Sequence, residues 1–171
     1  YETDELANLF IGYLKERAQD RKPFFGVLSV QPPHNPYVAP EEFMGRFRPA
    51  DLEMRPNVPQ IASVQQTARR ELAGYYAMIE NWDWNSGRIR QALDHSGLAQ
   101  DTHVVIFADH GDMHGSHGMY RKTNPFEEST RVPFLIAGER QKYDGRKTAR
   151  IPTLINAADI APTTLGLCGL D

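Results

Sequence analysis

The sequence has almost no cysteine, no long apolar run and no excess of one charge. Its single cysteine, Cys168, cannot form an internal disulfide, so nothing in the sequence indicates an oxidising compartment. No apolar run approaches the ~18 residues that cross a bilayer, and we expect no membrane partner. Nineteen Lys and Arg against 22 Asp and Glu give a net charge of −3, so we expect no nucleic-acid partner either.

The chain also lacks an initiator methionine and a signal-like segment at its start, since it begins with Tyr1. A length of 171 residues, with 40% hydrophobic residues, corresponds to one domain that can bury a core. The last five residues come directly after a short apolar helical pattern. We therefore expect residues 1–171 to be a single partial domain taken from a longer chain.

The apolar pattern predicts helices that alternate with short buried strands. Thr3 or Asp4 is a candidate N-cap for the first helix, and Gly97 is a candidate stop for the longest one. The alternation indicates the α/β class, with a mostly parallel (mixed) sheet flanked by helices. The predicted helices are residues 3–19, 62–97 and 159–167, and the predicted strands are residues 24–30, 104–108 and 132–137.

Residues 31–60 form a proline-rich stretch with only a short possible helix over 41–47. A long irregular stretch inside a domain is usually functional or disordered. Its aromatic residues Tyr37, Phe43 and Phe47 argue against disorder. We predict that residues 31–60 are an ordered loop that lies over the edge of the sheet and forms one wall of an active site.

Two predicted strands end in polar residues that suit a ligand site. In open α/β sheets, ligands bind beyond the carboxyl ends of the strands. His34 follows the first strand, and Asp109 and His110 follow the second. A carboxylate and an imidazole at the tip of a strand suit a divalent cation, although Asp109 as a turn cap and His110 as a packing residue explain the same pattern.

His110, His114 and His117 also allow a three-histidine zinc site. Helical zinc motifs need a continuous helix, however, and the glycines at 111, 115 and 118 disfavour one. Lys122 follows this glycine-rich stretch and could hold an anionic oxygen as a compact charge, or simply be solvated.

Other polar and apolar residues near these motifs are most simply structural. Glu127, Glu128 and Arg131 are typical of a local ion-pair cluster. Cys168, in an apolar terminal helix, is expected to be a small buried hydrophobe.

Four segments of the sequence, in order, resemble the sulfatase family of the alkaline phosphatase superfamily. FADHGDMHGSHGMYRKTNPFEESTRVPFLIAG resembles the family's signature region, and KPFFGVLSVQPPHNPYVAPEEF its histidine-bearing loop. YYAMIENWDWNSGRIRQALDHSGLAQDT resembles the helix before the metal-binding strand, and ADIAPTTLGLCGL the closing element. The resemblance covers the middle-to-late part of an alkaline-phosphatase-like catalytic domain. The four segments are residues 107–138, 22–43, 75–102 and 158–170.

The resemblance implies a role for four residues of the chain. Asp109 and His110 match two ligands of the catalytic divalent cation, usually Ca²⁺; because calcium prefers oxygen ligands, His110 leaves Mn²⁺ or another softer ion open. Lys122 matches the lysine that contacts the sulfate group or the bridging oxygen. His34 matches the histidine that bonds the ester and assists departure of the leaving group.

The family's nucleophile, a formylglycine made in a C/S-x-P/A-x-R motif, has no counterpart in this sequence. The aspartate pair that completes the cation site and the C-terminal subdomain have none either. We therefore expect the isolated chain to be inactive and to self-associate through surface meant for the absent parts.

The leading interpretation is a fragment of a sulfuric ester hydrolase that acts on a sulfated small molecule or glycan. A phosphonate monoester hydrolase or phosphodiesterase of the same superfamily is an alternative, as is a non-catalytic module that retains the fold. The resemblance implies an exported protein, periplasmic or extracellular, or a lysosomal one.

Overall fold

A computed structural model describes residues 1–20, 22–138 and 149–170 of the chain. Short 3-10 turns cover Pro49–Asp51, Ala99–Asp101, Ser116–Gly118 and Ala157–Asp159. None of the helices in the described residues is both long and apolar enough to pass through a membrane. The helices are α1 (Glu2–Asp20), α2 (Glu41–Met44), α3 (Ala62–His95), α4 (Glu127–Thr130) and α5 (Ile160–Leu167), and the strands are β1 (Val104–Phe107) and β2 (Phe134–Ala137).

Helix α3 is the structural centre of the described chain, because both buried apolar clusters lie against it. In one cluster Leu14 of α1 packs with Ala92 and Leu93 of α3. Helix α3 ends at His95, and Gly97 adopts φ +69°, which confirms its predicted role as the stop. The long helix therefore gives the rest of the chain a surface on which to pack.

Helix α1 begins at Glu2, so the predicted N-cap at Thr3 or Asp4 is wrong. Thr3 is buried, and the Asp4 carboxylate instead accepts hydrogen bonds from Asn81 Nδ2 at 2.9 Å and Asn85 Nδ2 at 2.7 Å. Both asparagines are fully buried. A buried amide needs a hydrogen-bond partner, and Asp4 supplies one to two asparagines of α3 from within the first turn of α1.

The proline-rich stretch is ordered and packs across α3. Ala39 and Phe43 join Ala77 and Met78 of α3 in the second apolar cluster, with Tyr37 at its edge. The predicted short helix is present as α2, although it ends at Met44. The aromatic residues of the stretch thus hold it against α3 by apolar packing.

The described residues contain helices and a small sheet, as predicted for the α/β class, but the paired strands are antiparallel. Strand β1 pairs with β2 in the register Val104↔Ala137 to Phe107↔Phe134. The apolar composition predicted the positions of both strands correctly. It does not predict whether they run parallel or antiparallel, because that depends on the connection between them. The expected parallel arrangement is therefore not found in this pair.

Residues 24–30 do not form the predicted buried strand. The segment has no regular secondary structure and no strand partner within the described part of the chain. Phe25 and Val27 are 67% and 70% exposed. An apolar run becomes a buried strand only where neighbouring strands cover it, and none does so here.

Cys168 is exposed, so the prediction of a buried residue is wrong. It caps the C-terminal end of α5, a helix with no buried residue in the described structure. The apolar composition of α5 suggested burial, but no described element covers that helix.

Candidate active site

His34 and Lys122, 88 positions apart in the sequence, lie in direct contact. Lys122 Nζ is 2.6 Å from His34 Nε2, and His34 Nδ1 is 2.7 Å from the carbonyl oxygen of Asn35. A carbonyl can only accept, so Nδ1 carries the proton and Nε2 accepts from the ammonium. The lysine keeps two N–H donors for an anion.

Asp109 and His110 follow the end of β1, as the sequence predicts, with only Ala108 between. Asp109 Oδ1 accepts from the backbone N–H of His110 at 2.9 Å, and Oδ2 lies 3.5 Å from His110 Nε2. His110 Nδ1 is 2.9 Å from the carbonyl oxygen of Gly111, which assigns the proton to Nδ1. The Asp109 side chain is 85% exposed, so its carboxylate faces open space.

The donor chemistry of Asp109 and His110 fits a divalent cation. Because the His110 proton is on Nδ1, the lone pair of His110 Nε2 faces the lone pairs of Asp109 Oδ2 at 3.5 Å. A cation bound between the two atoms would remove this repulsion. Fixing one imidazole nitrogen on a carbonyl is a common way to orient the other for a metal. The described residues contain no cluster of three or more His, Cys, Asp or Glu side chains suited to a metal, so this pair would supply only part of a ligand set.

The turn after Asp109 and His110 depends on Gly111. Its backbone N–H donates to the carbonyl oxygen of Ser129 at 2.8 Å, and a Cβ on Gly111 would collide with the carbonyl oxygen of Glu128. The glycine lets the chain pass closely over the α4 region.

His34, Lys122, Asp109 and His110 all line one broad open cleft of the described structure.

The three histidines of the possible zinc pattern have separate surroundings. His110 borders the cleft, whereas His114 is 2% exposed between the rings of Tyr37 and Tyr75. His117 is exposed and stacks on Phe126 with 4.3 Å between ring centroids. The glycines place these residues in turns, so their sequence spacing does not bring the rings together.

The ion-pair interpretation of residues 127–131 is correct for two of its three members. Arg131 NH1 lies 3.1 Å from Glu127 Oε2. Glu128 instead accepts a hydrogen bond from Asn57 Nδ2 at 2.5 Å, and this bond lowers the pKa of the Glu128 carboxyl. Glu128 thus ties the proline-rich stretch to α4.

Sequence reasoning missed a polar network behind the His34–Lys122 pair. The Tyr37 hydroxyl donates to Asp112 Oδ2 at 2.5 Å and accepts from Arg121 NH1 at 3.0 Å. Arg121 also forms a two-pronged ion pair with Glu71 of α3, at 2.7 and 3.1 Å. We call Tyr37, Asp112, Arg121 and Glu71 the support network.

Charges in the support network shift the pKa values of its members. Burial and the hydrogen bond to Asp112 raise the pKa of the Tyr37 hydroxyl. The ion pair with Glu71 raises the pKa of Arg121. Burial opposes ionisation of Asp112, but hydrogen bonds from Tyr37 and from two backbone N–H groups outweigh it and lower its pKa. Asp112 and Arg121 are therefore ionised near neutral pH, with the neutral Tyr37 hydroxyl between them.

His114 lies against the support network without joining it. Neither ring nitrogen has a hydrogen-bond partner among the described residues, and Asp112 Oδ1 is 3.8 Å from Nδ1. Burial lowers the pKa of the imidazole and outweighs the opposite effect of Asp112. The ring is thus held neutral. Only the closeness of Asp112 and His114 in the sequence hinted at this contact.

Comparison with known proteins gives a consistent result. A model of the Sulfatase family matches residues 1–170. An ulvan-active sulfatase of Formosa agariphila is 36% identical over 164 residues, which cover 92% of this chain and 31% of that protein. An endo-4-O-sulfatase of Bacteroides thetaiotaomicron is 34% identical over 172 residues, which cover 94% of this chain and 32% of that protein.

Solved structures agree with these sequence matches. A Bacteroides thetaiotaomicron protein solved in work on glycosaminoglycan metabolism superposes with a TM-score of 0.81 at 31% identity, over 96% of this chain and 34% of its own. The phosphonate monoester hydrolase of Agrobacterium radiobacter superposes with a TM-score of 0.77 at 30% identity, over 100% of this chain and 40% of its own. The predicted fold class, alkaline-phosphatase-like α/β, is confirmed.

The chain spans about a third of the length of the curated relatives described above. The family match nevertheless extends over nearly every residue, and it includes the segments that carry His34, Asp109, His110 and Lys122. The resemblance noted in the sequence is therefore confirmed, and the chain belongs to the Sulfatase family.

Proposed function

We propose that this chain is the middle-to-late part of a sulfatase catalytic domain and that the full-length protein hydrolyses sulfate esters. The observation that carries this proposal is the 2.6 Å contact between Lys122 Nζ and His34 Nε2, on the cleft that Asp109 and His110 also line. Two cation-binding groups and two proton-bearing groups on one cleft suit an anionic ester.

Lys122 is the group proposed to bind the sulfate. Its ammonium uses one N–H on His34 and keeps two for sulfate oxygens. The positive charge stabilises the negative oxygens as the ester reacts. Since the lysine is held by His34 before substrate arrives, little reorganisation is needed on binding.

His34 is the group proposed to assist the leaving oxygen. Its Nδ1 is fixed on the carbonyl of Asn35, so Nε2 is the nitrogen that faces Lys122 and the cleft. Because Nε2 accepts from the Lys122 ammonium, a proton that it takes up from that ammonium could pass to the oxygen that develops negative charge when the ester bond breaks.

Asp109 and His110 would hold a divalent cation, for which Ca²⁺ and Mn²⁺ are the candidates. When bound, such a cation supplies positive charge to the sulfate group and the reacting oxygens. The nucleophile, expected to be a formylglycine, is proposed to lie outside this chain. The substrate is proposed to be a sulfated glycan or small molecule and the protein to be exported or lysosomal, as for the family.

A second candidate function is phosphonate monoester or phosphodiester hydrolysis. It is favoured by the similarity to the phosphonate monoester hydrolase of Agrobacterium radiobacter. The same cation-binding pair, lysine and histidine suit either tetrahedral anion. The nucleophile context distinguishes the two functions.

The first experiment is to read the coding sequence before Tyr1 and assay the full-length protein. A C/S-x-P/A-x-R motif with turnover of an aryl sulfate supports the sulfatase. An unmodified threonine or serine with turnover of a phosphonate monoester supports the second candidate. A protein with neither motif nor turnover contradicts both.

The Lys122→Ala variant tests the role of the lysine. We expect kcat for the aryl sulfate to fall ~10²–10³-fold, the usual effect of removing one group that stabilises developing charge. Lys15→Ala, at an exposed lysine of α1, is the matched control and should retain wild-type turnover. Equal activity of both variants would contradict the assignment.

A further inference from the structure

We propose that the Tyr37 hydroxyl is a positioning residue that holds His34 and Lys122 together, through its bonds to Asp112 and Arg121. The catalytic meaning of this inference rests on the proposed function. The geometric claim does not, because the His34–Lys122 contact exists independently of any substrate.

Tyr37 and His34 belong to the same tight segment. Val38 N–H bonds to the carbonyl of Pro36 at 2.9 Å, and His34 N–H bonds to that of Gln31 at 3.0 Å. These local bonds fix the shape of residues 31–38. A displacement of Tyr37 is therefore transmitted to His34, three residues earlier.

Arg121 provides the corresponding connection to Lys122, its neighbour in the chain. Its backbone N–H donates to Asp112 Oδ1 at 3.0 Å, and its carbonyl accepts from Met113 N–H at 2.9 Å. Arg121 has φ +71°, a backbone conformation that L residues rarely adopt. The side-chain bonds to Tyr37 and Glu71 help to offset its cost.

Tyr37 is the member of the support network that belongs to the His34 segment. Its hydroxyl bonds to two other members of the network, Asp112 and Arg121. It donates to Asp112 and accepts from Arg121, so both of its roles as a hydroxyl are used. Both partners belong to the segment that carries Lys122. Without this oxygen, the two segments lose the direct polar link behind the His34–Lys122 pair.

Helix α3 supports both sides of this link. Glu71 holds the Arg121 guanidinium, and Gly74 lies so close to Tyr37 that a Cβ on the glycine would collide with the tyrosine carbonyl oxygen. The Tyr37 ring also packs against Tyr75 with 6.0 Å between centroids. The ring thus has its own attachment, and the hydroxyl is free to act as the link.

The test is Tyr37→Phe in the full-length protein, which removes the hydroxyl and keeps the ring packing. The readout is the ¹⁵N NMR signal of His34 Nε2, assigned with His34→Gln and compared with the signal in Lys122→Met. We expect Tyr37→Phe to shift this signal from its wild-type position toward that of Lys122→Met. We also expect kcat to fall about tenfold or more, with a smaller change in KM, because misplacement of reacting groups slows the chemical step.

Tyr76→Phe is the matched control, because Tyr76 is exposed on α3 and belongs to neither the support network nor the His34 segment, while its ring, like that of Tyr37, lies beside Tyr75. It should leave both the His34 signal and kcat unchanged. Glu71→Gln is a second variant that weakens the Arg121 anchor, and it should shift the same signal in the same direction. Thermal denaturation checks that each variant is folded.

A wild-type His34 signal in folded Tyr37→Phe would overturn the proposal, whether or not the melting temperature falls. If the wild-type protein hydrolyses no sulfate or phosphonate ester, the proposed function is wrong. The NMR signal alone then still decides whether Tyr37 positions the pair.

Discussion

At the scale of single residues, His114 is unusual because a titratable ring is buried with no hydrogen-bond partner among the described residues. Its neighbours Tyr37 and Tyr75 cover the ring, and Asp112, Arg55, Glu71 and Arg121 contribute charges around it. Burial outweighs those charges and lowers its pKa below the ordinary value of 6.5. The folded state therefore takes up a proton less readily than the unfolded chain.

This difference predicts that the protein loses stability as the pH falls below about 6.5. In that range the unfolded chain binds a proton at residue 114 and the folded protein does not, which costs up to ~1.4 kcal/mol per pH unit. Asp112, whose pKa is also lowered, adds a further loss only below its ordinary value of 3.8. His114→Leu should flatten the profile between pH 7 and 5, measured by equilibrium denaturation.

The control for His114→Leu is His95→Leu, at the exposed end of α3. It removes a histidine that is not buried, and we expect it to keep the wild-type slope. If His114→Leu and the wild-type protein lose stability in parallel between pH 7 and 5, residue 114 is not responsible.

At the scale of secondary-structure elements, α3 has two glycines in contrasting surroundings. A Cβ on Gly74 would collide with the carbonyl oxygen of Tyr37, whereas a Cβ on Gly87 would meet no other atom within 4 Å. Glycine is unfavourable inside a helix unless a neighbouring backbone needs the space. Gly74 is thus required by the approach of the proline-rich stretch, and Gly87 is not.

We therefore expect the two Gly→Ala substitutions to have opposite effects. Gly74→Ala should destabilise the protein by ~1–3 kcal/mol, the usual cost of overpacking. Gly87→Ala should stabilise it by ~0.5–1 kcal/mol, because alanine favours the helix. Equilibrium denaturation of both variants measures the difference, and effects of the same sign would contradict the observed approach of Tyr37 to α3.

How far the sequence predicts these elements depends on the range of the interactions involved. The limits of α3 follow from its apolar spacing and Gly97, both local signals. The sequence placed the start of α1 too late, and it gave no local signal of the bonds from Asp4 to Asn81 and Asn85, about 80 positions away. The strand at residues 24–30 was overpredicted because burial depends on neighbours that an apolar run does not specify.

In the candidate site, too, the local features are predictable from the sequence and the long-range contacts are not. Asp109 and His110 are adjacent, and their position after a strand is readable from the sequence. The roles of Lys122 and His34 came from family resemblance, and only the structure shows that the two side chains touch. The support network has no local signal, since Tyr37 lies 84 positions from Arg121.

At the scale of the whole molecule, the described chain exposes much apolar surface on the cleft side. Phe25 and Val27, before the proline-rich stretch, and Leu135 of β2 are 67%, 70% and 56% exposed, and all three line the cleft. Apolar surface of this kind usually marks a contact with other protein. The chain spans about a third of its relatives' length, and we propose that further parts of a longer protein cover this surface.

We therefore expect the isolated 171-residue chain to self-associate as its concentration rises and to show no turnover of aryl sulfates. Sedimentation equilibrium measures the association. Val27→Lys with Leu135→Lys should weaken it, whereas Leu9→Lys, at an exposed position on α1, should not. A strictly monomeric wild-type profile, or sulfatase turnover by the isolated chain, would contradict this expectation.

Glu71 and Gly74 lie within one turn of α3, so the two loops that carry His34 and Lys122 share a single support. Segments fastened at one place open together, and their amide protons should exchange with deuterium as one cooperative unit. A lid that admits and releases substrate by moving either loop would have to loosen both. We therefore expect the His34–Lys122 pair to stay assembled when other segments around the cleft move.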